Sequence, residues 1–327
     1  MEIEYMLMYG SAVVCFIFSV ILGRIYIPVL KSIKMGQKIL DIGPRWHKSK
    51  EGTPTMGGLF FIVPAVACCL ACAFVLKDYN LLIHLAFIFL NGCIGFVDDY
   101  VKFFKKQNEG LTASQKMVLQ FAVAAGYIYV LYLTSNIDTT IRFPFSDYYI
   151  ELNTALYCVL AAVGIVFTVN SVNLTDGIDG LASSITFIVM IFMALLGAKT
   201  GNTLVMVVSG TVIGGVLGFL VYNFHPAKVF MGDTGSLFLG GAVSSMAFML
   251  NCPLLLLFAG FMYFVESVSV MIQVISYKLT KRRVFKMTPI HHHFEMSGWS
   301  EIKIVAVFSI VAAIVCAVGS FGFLPVL

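Results

Sequence analysis

The sequence predicts an all-α polytopic membrane protein with ten transmembrane helices, both termini outside and one functional face turned to the cytoplasm. Three observations carry this expectation. Of the 327 residues 59% are hydrophobic and 12% charged, with a mean hydropathy of +0.93, whereas soluble domains carry roughly 25% charged residues. Apolar runs of about 20 residues, enough to cross a hydrocarbon core of about 30 Å as helices, recur along the chain. Lysine and arginine gather on alternate connections between those runs.

In order, the runs fall at 4–24, 57–76, 81–101, 117–134, 154–172, 181–198, 203–222, 236–251, 254–277 and 302–325. The first lacks a basic start and a small-residue cleavage site, so it is expected to stay as a span and not to act as a signal peptide. The connections after runs 1, 3, 5, 7 and 9, with their flanks, hold Arg24, Lys31, Lys34, Lys38, Arg45, Lys48, Lys50, Lys102, Lys105, Lys106, Lys116, Lys228, Lys278, Lys281, Arg282, Arg283, Lys286 and Lys303. The other side holds Lys77, Arg142 and Lys199. Eighteen against three, which together make the 21 basic residues of the chain, puts the odd-numbered connections in the cytoplasm. The net charge of +4 adds little. The eight cysteines sit in or at the ends of apolar runs without paired metal-type spacing, as small packing residues do. Residues 135–153 mix Asp138, Thr139, Thr140, Arg142 and Asp147 with β-formers and predict a short exterior hairpin. Residues 1–327 are read as a single integral membrane domain.

The stretch Asn170 to Gly180, polar and glycine-bearing between two apolar runs, reads as a site loop at a membrane face. Asp176 and Asp179, with Asn170 and Asn173 upstream, offer four oxygen-bearing side chains beside glycines that admit a ligand; a turn with an ordinary helix cap is the alternative. Lys50 to Gly58 brings glycine and Pro54 to a helix entrance, suited either to capping or to phosphate. Asp98 and Asp99 close the third run, where paired carboxylates need a cation or water; a divalent metal or proton transfer would use them. Lys105 and Lys106 read as a solvated basic face toward anionic lipid.

After the seventh run Asp233, flanked by Gly232 and Gly235, again places an acid at a helix mouth. Phe230 could stack on a base or anchor at the interface. Glu266 lies inside the ninth run; an intramembrane acid is a functional candidate, and a hydrogen bond to a neighbouring helix is its alternative. His291, His292 and His293 form an internal triplet that could bind zinc, although no cysteine or glutamate stands at zinc-enzyme spacing, so phosphate contacts are favoured.

The clusters at 50–58, 98–102, 170–180, 223–236 and 289–295 are each separated by two runs. Two crossings return the chain to the same face, so all five share the cytoplasmic surface. Three of them, Gly52 to Gly58, Asp176 to Gly180 and Gly232 to Ser236, also open a helix, which predicts three sets of backbone amides aimed at one site. Carboxylates, amides, lysines and histidines together suit phosphoryl chemistry with Mg²⁺ on an anionic substrate at the lipid boundary. A transporter would carry its site near the bilayer midplane, often on inverted repeats; no repeat is visible and only Glu266 leans that way. A structural scaffold would not need five polar clusters on one face.

With these residues in view the chain resembles the polyprenyl-phosphate N-acetylhexosamine-1-phosphate transferase superfamily over essentially its whole length. Asp98-Asp99, Asn173 to Gly180 and Phe230 to Ser236 mark the superfamily; Gly52 to Gly58 and Pro289 to Phe294 point to its muramoyl-pentapeptide branch. The resemblance implies ten transmembrane helices in the bacterial cytoplasmic membrane, a homodimer, and no nucleic-acid partner. It implies Mg²⁺-dependent transfer of phospho-MurNAc-pentapeptide from UDP-MurNAc-pentapeptide to undecaprenyl phosphate, with UMP released. It implies that Asp233 binds Mg²⁺, that Asp98 deprotonates the lipid phosphate, that Asp99 supports the phosphate and metal site, and that Lys102 and Lys116 contact phosphate. Asn223, Phe230, Gly177, Ile178 and Asp179 would line a uridine pocket with Lys50, Thr55, Asn173 and Asp176 beside it, and His291, His292 and His293 would lie near the pyrophosphate. A sister transferase using UDP-GlcNAc is the nearest alternative, and the triple histidine argues against it.

Overall fold

The computed structural model describes residues 2–33, 50, 52–105 and 109–325. Lys34, Lys38, Arg45, Lys48 and Lys106, counted above among the cytoplasmic cations, lie outside the described residues, as does Glu51. Among the described residues the helices are α1 (Glu2–Ser32), α2 (Leu59–Leu76), α3 (Asn80–Lys105), α4 (Ala113–Leu133), α5 (Thr154–Thr175), α6 (Leu181–Thr200), α7 (Thr203–Asn223), α8 (Gly232–Met249), α9 (Leu256–Ala259), α10 (Phe261–Thr280), α11 (Ile290–Glu295) and α12 (Glu301–Phe323). Strands β1 (Thr140–Arg142) and β2 (Tyr149–Glu151) pair antiparallel between α4 and α5, with Thr140 opposite Glu151. This is the expected hairpin, and the Phe145 amide ties it to the Gly322 carbonyl near the end of α12 at 3.0 Å.

Eight of these helices, α1 to α7 and α12, are long and apolar enough to cross a membrane. Helices α9 and α10 make a ninth candidate among the described residues if the pair, bent by 81°, counts as one span. The run at 254–277 is therefore broken, with Gly260 at the junction. The run at 236–251 forms α8, which is less apolar for a physical reason. Every residue from Thr234 to Met249 is buried, so α8 is sheathed by protein and its surface never has to match lipid. Its Gly240, Gly241, Ser244 and Ser245 let neighbouring helices approach, as small residues do in membrane bundles.

Around α8 the bundle is held by packing and by isolated polar links. Phe61 of α2 meets Phe219 of α7 and Phe238 of α8 edge-on, at 5.6 and 6.0 Å between ring centroids, contacts worth about 0.5–1.5 kcal/mol each beyond the area they bury. Ser267 of α10 donates to Ser171 of α5 at 2.7 Å, and His84 of α3 bonds Tyr127 of α4 at 2.7 Å; such links average about 0.6 kcal/mol in a membrane protein. One approach onto α8 is backbone to backbone. A Cβ built on Gly95 of α3 would lie 2.0 Å from the Asp233 carbonyl oxygen at the start of α8, so glycine there brings the end of α3 onto the mouth of α8.

Helices α3, α5 and α7 end, and α2, α4, α6, α8 and α12 begin, at one end of the bundle, as the contacts among their termini require. The polar clusters meet there. Helix α5 runs on to Thr175, so Asn170 and Asn173 belong to its last turns, and the loop expected over Asn170 to Gly180 is confined to Asp176 to Gly180.

Candidate active site

Asp233, in the first turn of α8, is the meeting point of four elements. Its Oδ2 accepts from Lys102 of α3 at 3.0 Å and from Lys116 of α4 at 2.8 Å, and its Oδ1 accepts from Asn173 of α5 at 2.9 Å. Asn173 also donates to Ser236 at 2.7 Å. One turn before Lys102 on α3, Asp98 pairs with that lysine at 2.6 Å and accepts from the Leu111 amide at 2.9 Å. Oxygens of Asp98, Asp99 and Asp233 lie within 4.8 Å of one another. Three carboxylates thus face two ammonium groups. Hard oxygen donors with one negative charge in excess, counted as ionised, fit Mg²⁺; the partners of Asp98 and Asp233 are mostly side chains that can turn away, whereas Asp99 is held by two backbone amides and a hydroxyl as follows.

Asp99 is buried, and its Oδ1 accepts from the Asp233 amide at 3.2 Å while Oδ2 takes the Thr234 amide at 2.9 Å and the Thr234 hydroxyl at 2.7 Å. Met231, the residue at the N-cap of α8, supplies no side-chain cap, so Asp99 caps α8 from another helix. The same device recurs twice. The Gly57 and Gly58 amides before α2 donate to the carbonyls of Phe230 and Met231 at 2.9 and 3.0 Å. Before α6, the Asp179 amide donates to Glu301 at 3.0 Å and the Gly180 amide to Asn223 at 3.1 Å. Six amides at these three glycine-bearing helix mouths, those of Gly57, Gly58, Asp179, Gly180, Asp233 and Thr234, are therefore satisfied inside the protein, as buried N–H groups must be. These bonds lock the segments together.

A second constellation lies on the α6 side. Lys50 bonds Asp179 and Glu301 at 2.7 Å each, and the other Asp179 oxygen takes His225 at 3.0 Å and the Ala227 amide at 2.9 Å. Asp179, His225 and Glu301 could geometrically hold a metal, but the Lys50 ammonium already supplies a cation to two of them. Asn223 is buried, accepting from the Gly180 amide and donating to the Val229 carbonyl, the latter at 3.0 Å. Phe230 is half-buried, and its amide bonds the Pro54 carbonyl at 2.8 Å. The Thr55 hydroxyl lies close over Gly232, 2.9 Å from where a Cβ would stand. Asp176 caps the end of α5 half-buried; burial first, then the charges of Asp233, Asp99 and Asp179, push its carboxyl well above the ordinary range.

The three histidines split. His291 is fully enclosed, with Nδ1 3.0 Å from Glu266, itself fully enclosed, and Nε2 turned toward Gly177, where a Cβ would come to 2.2 Å. His292 bonds Glu295. His293 accepts from the Lys286 amide at 3.1 Å and meets Phe285 edge-on. They do not converge as zinc ligands would. Glu301 and His225, which sequence reasoning did not single out, join the site. Glu301 reads locally as a plain first-turn acid after the Ser300 cap, and only its position at the head of the last run hinted at the shared face.

Residues 81–251 match the family model described as glycosyl transferase family 4, which sets this helical bundle and its polar end in a class of transferases. Residues 50–62 match signature 1 of the phospho-N-acetylmuramoyl-pentapeptide-transferases. Proteins of that name are similar over nearly the whole chain. The one from Clostridium botulinum (strain Alaska E43 / Type E3) is 48% identical, with 93% of each chain covered. That from Clostridium beijerinckii is 46% identical, again over 93% of each, and that from Acetivibrio thermocellus is 44% identical, over 95% of this chain and 93% of the other. The chain belongs to the phospho-N-acetylmuramoyl-pentapeptide-transferase family.

Proposed function

We propose that this multi-pass membrane enzyme transfers phospho-MurNAc-pentapeptide from UDP-MurNAc-pentapeptide to undecaprenyl phosphate, forming lipid I and UMP. The observation that carries the reading is the convergence of Asp98, Asp99, Lys102, Lys116, Asn173 and Asp233 at one end of the bundle, in a chain with family membership over its length. In the reaction an oxygen of the lipid phosphate bonds to the β-phosphorus of the nucleotide, the bond from that phosphorus to the bridging oxygen breaks, and UMP leaves with that oxygen. Asp98 takes the proton of the lipid phosphate. Lys102 and Lys116 turn from Asp233 toward the phosphates and offset the repulsion between the two anions. Asp99 keeps α8 fixed, so that Asp233 stays in place. Mg²⁺, when bound, would be held by Asp233 with Asp98 beside it and would withdraw charge from the diphosphate.

Gly177, Ile178, Asp179, Asn223 and Phe230 form the uridine side in this proposal, with Lys50, Thr55, Asn173 and Asp176 next to it. His291, His292 and His293 serve the pyrophosphate side, and Glu266 acts there through His291. The chain crosses the bacterial cytoplasmic membrane ten times, with the site on the cytoplasmic face and both termini outside, and it works as a homodimer. Match of residues 50–62 to the muramoyl-pentapeptide signature favours this branch over a UDP-GlcNAc-using sister. The test supplies detergent-purified protein with undecaprenyl phosphate and Mg²⁺ and compares UMP release from UDP-MurNAc-pentapeptide and UDP-GlcNAc. Release from the muramoyl substrate alone, abolished by EDTA, is expected. Release from UDP-GlcNAc alone would move the chain to the sister branch, and release from neither in folded protein would overturn the proposal.

A further inference from the structure

Lys50 precedes α2, Asp179 precedes α6, His225 follows α7 and Glu301 opens α12, so one polar knot joins four separate segments. Glu301 is its hub. It bonds the Lys50 ammonium at 2.7 Å, accepts the Asp179 amide at 3.0 Å, and stands 3.7 Å from His225. Asp179 is almost wholly enclosed, with 1% of its side chain exposed, and Lys50 retains 15%. Among the described residues two carboxylates share Lys50, and with one donor given to each the third N–H is counted toward a ligand. A lysine N–H beside carboxylate oxygens presents a donor next to an acceptor, the pattern that the imide edge of a pyrimidine base requires.

We infer that Glu301 is a positioning residue for the base end of the nucleotide site, acting through Lys50 and the Asp179 amide without touching the base. This inference rests on the uridine-side assignment of Lys50 and Asp179 in the proposed function. The route from the far end of the chain is short. Phe294, just after the histidines, packs at a tilt against Trp299 at 4.7 Å between centroids, and Ser300 caps α12 by accepting from the Lys303 amide, which fixes Glu301 in the first turn. The segment that carries His291 on the pyrophosphate side therefore also fixes the base side, and the two ends of one nucleotide are held at a set separation. Loss of the Glu301 charge leaves Lys50 with one carboxylate and weakens the acceptor of a buried amide, so the donor that Lys50 turns to the base is no longer held in place, and losing one such bond to the ligand costs about tenfold in affinity.

The test uses the full-length protein in detergent. Glu301→Gln is expected to raise the dissociation constant for UDP, and the KM for UDP-MurNAc-pentapeptide, by about tenfold. The melting temperature should fall modestly with the lost pair, whereas the KM for undecaprenyl phosphate should stay near wild type; a merely structural role would weaken both substrates alike. Because Glu301 acts through Lys50, the double variant Lys50→Gln with Glu301→Gln should bind UDP no more weakly than Lys50→Gln alone, a non-additivity that marks shared action. Unchanged UDP binding in Glu301→Gln, or additive losses in the double variant, would overturn the inference. A wild-type protein that binds UDP tightly yet releases no UMP would count against the proposed function alone, since the comparison of dissociation constants stands without turnover.

Discussion

Asp233 accepts from three side chains on three different helices, and its own amide is held by a fourth side chain, that of Asp99. No other carboxylate in the cluster is tied so widely, so its charge sets the geometry of Lys102, Lys116 and Asn173 together. Asp233→Asn keeps the size and one acceptor but removes the charge that both lysines and the metal would share. Turnover should fall by at least about 10²–10³-fold, the cost of removing one preorganised electrostatic contact, and near-normal UMP release would remove Asp233 from the metal and phosphate role. Gly177 makes a different demand. A Cβ there would come to 2.2 Å from Nε2 of the enclosed His291, and overpacking of this kind costs about 1–3 kcal/mol. Gly177→Ala should lower the melting temperature and turnover in the wild-type background and should add little further loss of melting temperature to a His291→Ala chain, which has no imidazole for the methyl group to meet; an equal drop in both backgrounds would show that the clash is not with His291. The acids were legible in the sequence because carboxylates at the ends of apolar runs stand out, whereas the fit of Gly177 over His291 spans 114 residues and leaves no local mark.

At the scale of the element, α8 explains why part of the sequence reading held and part did not. Its apolar run was visible, yet its glycines and serines record burial by other helices and not contact with lipid. The expectation that helix mouths would aim free amides at phosphate followed from local sequence, and Asp99, Glu301, Asn223 and the Phe230 and Met231 carbonyls take six of those amides from distant positions. Capping from another segment cannot be read from the capped stretch. It does yield a prediction about helix contacts. Gly95 meets backbone, the Asp233 carbonyl at 2.0 Å, whereas a Cβ at Gly92 on the same helix would meet the Phe238 side chain at 3.2 Å. Gly95→Ala must push α3 away from α8 and stretch the Asp99 bonds to Thr234, while the ring beside Gly92 can turn. UMP release should fall at least about tenfold more in Gly95→Ala than in Gly92→Ala, since even one displaced charge-assisted bond costs about 1.5–3 kcal/mol; equal activities would mean that the α3–α8 seam tolerates a methyl group and that the Asp99 cap is not set by it.

At the scale of the whole molecule, orientation follows from charge and from parity, two arguments with no residue in common beyond the basic ones near the site. The hairpin and the polar site lie at opposite ends of the bundle, and the connections that the sequence assigns to the two sides differ eighteen to three in basic residues. Lysine and arginine near span ends are retained on the cytoplasmic side, so the site should face the compartment that holds a nucleotide-linked substrate. Two exposed positions report on this, Ser146 in the hairpin turn and Arg282 just beyond α10. The native cysteines provide a quiet background, since Cys15, Cys69, Cys72, Cys252 and Cys316 are buried and Cys68, Cys93 and Cys158, half-buried, lie within α2, α3 and α5. In intact cells a membrane-impermeant maleimide should label Ser146→Cys and leave Arg282→Cys unmodified until the membrane is opened. The reverse pattern would place Lys102, Lys116 and Asp233 on the outer face, out of reach of a cytoplasmic nucleotide, and would therefore remove the proposed reaction along with the orientation, whereas labelling of both sites in intact cells would show only that the membrane had been breached.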